Sequence, residues 1–377
     1  MVINMKIVIS LLTTIIMLFG NLFGLTGYKG TEHKDYRIYK NVILMIGDGN
    51  GANTMAATRQ MKNTDLAMDS MPVHAWSQTR SLTDKVTDSA AGGTALATGI
   101  RTYNGAIGVY IFDPLGSFYN VPKNLSELAI ENGKSAGVVT TDKTSGATPA
   151  SFSAHSVERG FEYDISYDQM RSDLTLIWGA ASDTVTEKRC DRHGFKYITT
   201  EKEMDALEPG TRSFGQFSFS DFANVDNSNG TPYICDMTEK AIELLNADED
   251  GFFLMVEGAQ IDKFSHSNNF DGATAQEVEF SKAVQVALDF AEEDGDTLVV
   301  VTADHETGGI TYNEETGEYY YTTGSHTGVD VPCFVSADDA GFVDGEHYKN
   351  CSVSTQIARV MGYGSWNFPA LRWKNSF

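Results

Sequence analysis

Four short runs of uninterrupted apolar residues stand out along the chain. They are Asn41–Ile46 (NVILMI), the Gly137-Val138-Val139-Thr140 stretch within 135–141, Phe252–Glu257 (FFLMVE) and Thr297–Thr302 (TLVVVT). Each has the length of a strand, and none alternates apolar with polar positions. Continuous hydrophobicity predicts strands covered on both faces, hence a parallel sheet between helical layers. Between the last two runs, Val278, Ala283, Val284, Ala287, Leu288 and Ala291 recur at helical spacing. That pattern predicts a helix over 276–293 that packs one face on the sheet and crosses over to the Thr297 strand. Residues 160–235 are more polar and aromatic and show no clean period, so they read as an elaboration on the main domain.

The strand ends carry the first chemical signal. Asp48 follows the first run, Glu257 closes the third, and Asp304 and His305 follow the fourth. In open α/β sheets ligands bind at the carboxyl ends of strands. Packing gives no reason for three separate strands to deliver acids and an imidazole to one edge.

Local clusters add detail. In Gly47-Asp48-Gly49-Asn50-Gly51 the glycines let the backbone turn sharply around a lone carboxylate, a turn Asp or a cation ligand. Thr87-Asp88-Ser89-Ala90-Ala91-Gly92-Gly93 predicts a helix of small residues with Ser89 at its start. Free backbone N–H groups there favour an anion, and an ordinary capping serine is the plain alternative. Asp262 and His266 are four apart, so one helical turn places both on one face, as a zinc pair or a surface pair. Thr302–Gly309 (TADHETGG) and Gly324–Gly328 (GSHTG) contribute His305 and His326. The other five histidines, His33, His74, His155, His193 and His347, are assigned surface or structural roles.

In order, G-D-G-x-G, T-D-S-A-A, V-E-G-x-x-I-D-x-x-x-H, T-A-D-H-E-T-G-G and S-H-T-G resemble the alkaline phosphatase family over roughly residues 41–336. The resemblance implies two zinc ions and one magnesium ion around a serine nucleophile, Ser89. It implies Asp262, His266 and His326 on the first zinc, and Asp48, Asp304 and His305 on the second. Asp48, Glu257 and Thr148 would hold the magnesium, and Arg159 would clamp the phosphate through its two-pronged guanidinium. Lys263 matches a lysine of some bacterial members; it would reach phosphate through water or stand as a surface charge. The implied fold is α/β, a mostly parallel central sheet flanked by helices on both faces. Only twenty residues lie between His305 and His326, so the large crown insertion of bigger relatives is missing. Where many members have Asp or His two residues before the threonine, this chain has Gly146. The implied reaction is hydrolysis of small phosphomonoesters through a phosphoserine, by a homodimer.

Composition narrows the rest. The formal charge of −23 disfavours nucleic acid and anionic lipid as partners, because the long-range field repels both. Lys6 followed by the uncharged run Ile7–Phe19 reads as an export signal, or as an N-terminal anchor over about 1–27 preceding a catalytic domain over 35–377. Export, whether to the periplasm, the cell surface or the medium, makes disulfides feasible. Four cysteines allow Cys190–Cys235 with Cys333–Cys351, and free thiols are an equal expectation. The rival enzyme classes are a sulfatase, which the Asp88–Gly92 context opposes, and a phosphodiesterase; a metal-binding protein without catalysis is the third rival.

Overall fold

A computed structural model describes residues 36–111, 118–363 and 371–375. The expected export segment lies outside the described residues. The residues from Arg37 onward belong to one structural unit.

The apolar runs pair side by side at the centre of a ten-stranded sheet. We number its strands along the chain: β1 Asn41–Gly47, β2 Val73–Gln78, β3 Ser135–Lys143, β4 Leu176–Ala180, β5 Lys196–Ile198, β6 Ser213–Phe217, β7 Phe252–Gly258, β8 Thr297–Thr302, β9 Val331–Val335 and β10 His347–Lys349. Their order across the sheet is β10-β2-β9-β8-β1-β7-β3-β4-β6-β5. β9 alone runs against the others, pairing antiparallel with both β8 and β2. The remaining pairings are parallel. Residues 160–235, expected as an elaboration, supply β4, β5 and β6 to this sheet.

Both faces of β1 are buried, which is why its sequence shows no alternation. Val42, Leu44 and Ile46 join one apolar cluster, with Leu96 and Ile357 from the helices Ser89–Thr98 and Asn350–Val360. Ile43 and Met45 join a second, with Met237 and Ala241 from Ile234–Leu245 and Phe280 and Val284 from Phe270–Asp294. Each such aliphatic side chain contributes roughly 1.5–3 kcal/mol by leaving water. The helix predicted over 276–293 spans Phe270–Asp294, capped by Asn269, whose side chain accepts from Gly272 N. No described helix is long and apolar enough to cross a membrane.

The register fixes where the chemistry falls. Ile46 stands beside Glu257 and Thr302, and Thr140 beside Glu257. Asp48, Glu257 and Asp304 therefore leave the sheet at one level on its carboxyl edge. Between His305 and His326 the chain makes a small hairpin, Thr311–Asn313 against Glu318–Tyr320. The cysteines do not form the expected pairs: Cys190, Cys235, Cys333 and Cys351 are all free. Cys190 and Cys333 are sequestered in the apolar clusters. Burial pushes the thiols of Cys190, Cys235 and Cys333 up to about 12, so they stay protonated and inert.

Candidate metal centre

The Gly47–Gly51 turn brings Asp48 to the sheet edge. Gly49 has φ +69°, and a Cβ there would lie 2.7 Å from Thr307 Oγ1 and 2.9 Å from Asp262 Cβ. Glycine is thus required both for the left-handed turn and for the close approach of two other segments. Next to Asp48, the segment after β8 delivers Asp304 and His305, both fully buried. Gly49 N and His305 N donate to Asp304 Oδ1 at 3.3 and 3.0 Å, which fixes that carboxylate. His305 Nε2 lies 3.2 Å from Asp304 Oδ2 and 3.5 Å from Asp48 Oδ1.

The helix Gln260–His266, directly after β7, supplies Asp262 and His266 from one face. His326 arrives through a two-residue antiparallel ladder in which it pairs with Thr307. His266 Nε2 is 3.4 Å from Asp262 Oδ2 and 3.1 Å from His326 Nε2, and His326 Nε2 is 3.6 Å from Asp262 Oδ1. With each ring's hydrogen on Nδ1, the two Nε2 lone pairs face each other, an arrangement that a cation between them would satisfy.

The ring orientations follow from the opposite nitrogens. His266 Nδ1 lies 2.8 Å from Gly324 O, and His326 Nδ1 lies 2.9 Å from Thr87 O. A carbonyl only accepts, so each Nδ1 carries the hydrogen and each Nε2 turns a lone pair inward. Thr307 does the same for His305. Its hydroxyl donates to Asp262 Oδ1 and so accepts from His305 Nδ1 at 3.3 Å. Thr307 was not among the residues singled out from sequence; its place two residues after His305 is the only signal that points to it.

Ser89 begins the buried helix Ser89–Thr98. Its Oγ is 3.1 Å from His305 Nε2. Asp88 is the N-cap, accepting from Ala91 N through Oδ1 at 2.9 Å. Through Oδ2 it also holds Arg159 Nη1 at 3.1 Å. Arg159 is half-exposed and close enough to lower the basicity of His305. Asp88 thus carries the Arg159 side chain beside Ser89, a task the sequence concealed behind an ordinary capping pattern.

Glu257 is buried and accepts from Thr140 Oγ1. Thr148 is buried, on a short helix after Gly146, and its Oγ1 has no hydrogen-bond partner. Lys263 Nζ donates to Asp142 Oδ2 at 3.0 Å, so it is a partly exposed, paired ammonium and not a free surface charge.

The electrostatics of this edge call for cations. Burial, then Asp304, Asp262 and Glu257, push the Asp48 carboxyl well above its usual range. Burial, then Asp142, raises Glu257 to about 8, and burial, then Asp262, raises Asp304 to about 7. Burial, then His326 and His266, holds His305 far below its ordinary value, so that ring is neutral. Asp48 Oδ1 and Asp304 Oδ2 are buried without hydrogen-bond donors. Buried acids at this density persist when metals bind them. Two groups could each hold an ion: Asp262 with His266 and His326, and Asp48 with Asp262 and His305. Mixed imidazole and carboxylate donors suit zinc, and the all-oxygen surroundings of Glu257 and Thr148 suit a harder ion.

Comparison with known proteins shows which family the chain is similar to. The family model for alkaline phosphatase matches residues 39–176 and 169–324. Alkaline phosphatase 4 of Bacillus subtilis (strain 168) is 35% identical over 337 residues, covering 82% of this chain and 71% of that protein. Alkaline phosphatase of Escherichia coli (strain K12) is 30% identical over 334 residues, covering 71% of this chain and 70% of the other. The solved alkaline phosphatase of the Antarctic bacterium TAB5 is 31% identical, covers 88% of this chain with all of its own, and superposes with a TM-score of 0.75. A variant of the TAB5 enzyme carries magnesium in its M3 site. By its fold, by its sequence and by the metal-ready edge of its sheet, this chain belongs to the alkaline phosphatase family, hydrolases of phosphate monoesters.

Proposed function

We propose that the chain hydrolyses phosphomonoesters by transfer of the phosphoryl group to Ser89 and then to water, at a centre of two zinc ions and one magnesium ion. The observation that carries this is Ser89 Oγ at a helix start, 3.1 Å from His305 Nε2 and beside the paired imidazole and carboxylate groups. Asp262, His266 and His326 hold one zinc; Asp48, Asp304 and His305 hold the other; Asp48, Glu257 and Thr148 hold magnesium. When bound, these ions would supply charge neutralisation and acidify the oxygens bound to them. The magnesium in the TAB5 variant supports the third site.

The chain's own residues do the rest. A serine hydroxyl is a weak nucleophile at its free pKa, so its proton must be lost as the bond to phosphorus forms. Ser89 Oγ attacks in line, the ester oxygen leaves, and a phosphoserine remains. Water then attacks from the opposite side, the Ser89 oxygen leaves, and phosphate departs. The helix N-terminus behind Ser89 favours the negative charge throughout. Arg159, presented by Asp88, offers paired N–H donors to two phosphate oxygens. Lys263 would contact a phosphate oxygen through water.

The test is hydrolysis of a chromogenic phosphomonoester beside the matching diester, before and after chelation, with zinc, magnesium or both restored. Monoester turnover that is lost on chelation and regained with both metals supports the reading. Preferred turnover of the diester would replace it with a phosphodiesterase. Ser89→Ala should abolish nearly all turnover while zinc still binds, and wild-type turnover in that variant would reject Ser89 as nucleophile.

A further inference from the structure

The glycine at position 146 has an explanation in its surroundings. A Cβ built there would lie 2.7 Å from Asp142 Oδ2 and 2.9 Å from the Lys143 carbonyl oxygen. The volume that a side chain at 146 would enter is already filled by the Asp142 carboxylate. Asp142 sits near the end of β3, where the register against β4 breaks between Val139 and Lys143. A break of this kind bends a strand and re-aims its side chains. Gly179 of β4 makes room for it: a Cβ there would lie 2.6 Å from Thr140 Cγ2 and 2.7 Å from the Asp142 carbonyl oxygen. Asp142 N donates to Thr140 Oγ1 at 2.8 Å, and that same hydroxyl donates to Glu257. One threonine therefore ties the backbone of Asp142 to the carboxylate of Glu257.

Charge points the same way. After burial, Asp142 is the strongest influence raising Glu257. Lys263 binds Asp142 and senses Asp48 and Glu257 next. Three carboxylates against one ammonium leave a formal excess of two negative charges, which one divalent cation would cancel. Thr148, two residues after Gly146, has a buried Oγ1 without a hydrogen-bond partner.

We propose that Asp142 supplies a carboxylate to the third cation site, beside Glu257 and Thr148, in place of the side chain that Gly146 lacks. The acid stands four residues upstream of position 146, whose missing side chain leaves room for it. This rests on the three-cation reading above. An all-oxygen set of this kind selects a hard ion such as Mg2+.

The experiment measures metal content by mass spectrometry, and Mg2+ affinity by calorimetry, on the full zinc-loaded enzyme. Wild type should hold two zinc equivalents and one magnesium. Asp142→Ala and the isosteric Asp142→Asn should keep both zinc ions and lose magnesium affinity by roughly 10–100-fold. Undiminished magnesium affinity in Asp142→Asn overturns the proposal and leaves the three-cation reading standing. Loss of zinc and magnesium together in both single variants also overturns it, in favour of a scaffold role. A wild-type enzyme that never takes up a third cation overturns both.

Discussion

Ser89, His305 and Arg159 meet through short contacts that the sequence could suggest singly but not join. Arg159 reaches the site only because Asp88 holds it at 3.1 Å while also capping the Ser89 helix. If substrate phosphate competes for this guanidinium as proposed above, Arg159→Ala should raise KM and weaken inhibition by phosphate roughly 10–100-fold, with a smaller effect on kcat. Steady-state kinetics with phosphate as inhibitor checks this, and unchanged phosphate inhibition would remove Arg159 from the substrate site. At this scale legibility was uneven. Asp48, Glu257, Asp304 and His305 were readable because each ends an apolar run, a position where packing has no use for charge. Asp142 ends such a run too, but its meaning depends on the absent side chain at 146, which a linear pattern does not report. Thr307 and Asp88 act only through hydrogen bonds to other site residues, and nothing in a linear pattern reports those.

Among elements, the parallel strands and the long helix were legible because they are buried on both sides or at regular spacing. β4, β5 and β6 were not. Trp178, Gly179, Gly215 and Gln216 break their apolar pattern, and each answers a local demand. Gly179 leaves room for the bent end of β3, and Gln216 Oε1 accepts from Ser182 N at 2.9 Å. The Ser89 helix packs unusually close to the end of β8. A Cβ on Gly92 would lie 3.0 Å from the Asp304 carbonyl oxygen and 3.1 Å from Asp304 Cβ. Gly92→Ala should therefore push Ser89 and the Asp304–His305 segment apart without unfolding the chain. A displacement of that kind lowers kcat by up to about 100-fold. Measuring kcat beside the thermal midpoint decides it; a wild-type kcat would mean the helix can shift without cost.

The whole molecule carries its acidity inward as well as outward. Glu277, on the Phe270–Asp294 helix, is buried and accepts from Asn50 Nδ2 at 2.5 Å. Burial raises it from 4.5 to about 8. Between those values the folded chain keeps a proton that the unfolded chain has released. Its contribution therefore favours folding at low pH and is lost as pH rises, by at most about 1.4 kcal/mol per unit. Glu277→Gln keeps the acceptor for Asn50 and removes the ionisation. Denaturant unfolding of the zinc-loaded protein should show a shallower fall in stability for the variant, from about pH 5 to about pH 8. Equal slopes for variant and wild type would show that Glu277 is ionised in the fold.

β1 stands at the middle of the sheet, yet both its partners come late in the chain. Asn41 bonds across to Phe252, 211 residues on, and to Thr297, 256 residues on. The first strand made is therefore among the last that can be finished, since closing such long loops must precede the pairing that rewards it. Asp48 has no companion ligands until β7 and β8 have docked on either side. A chain stopped before β7 holds Ser89 and Asp48 but none of the groups that would complete the two proposed zinc sites. Turnover by this protein should consequently report on the joint docking of β1, β7 and β8, not on any one of them.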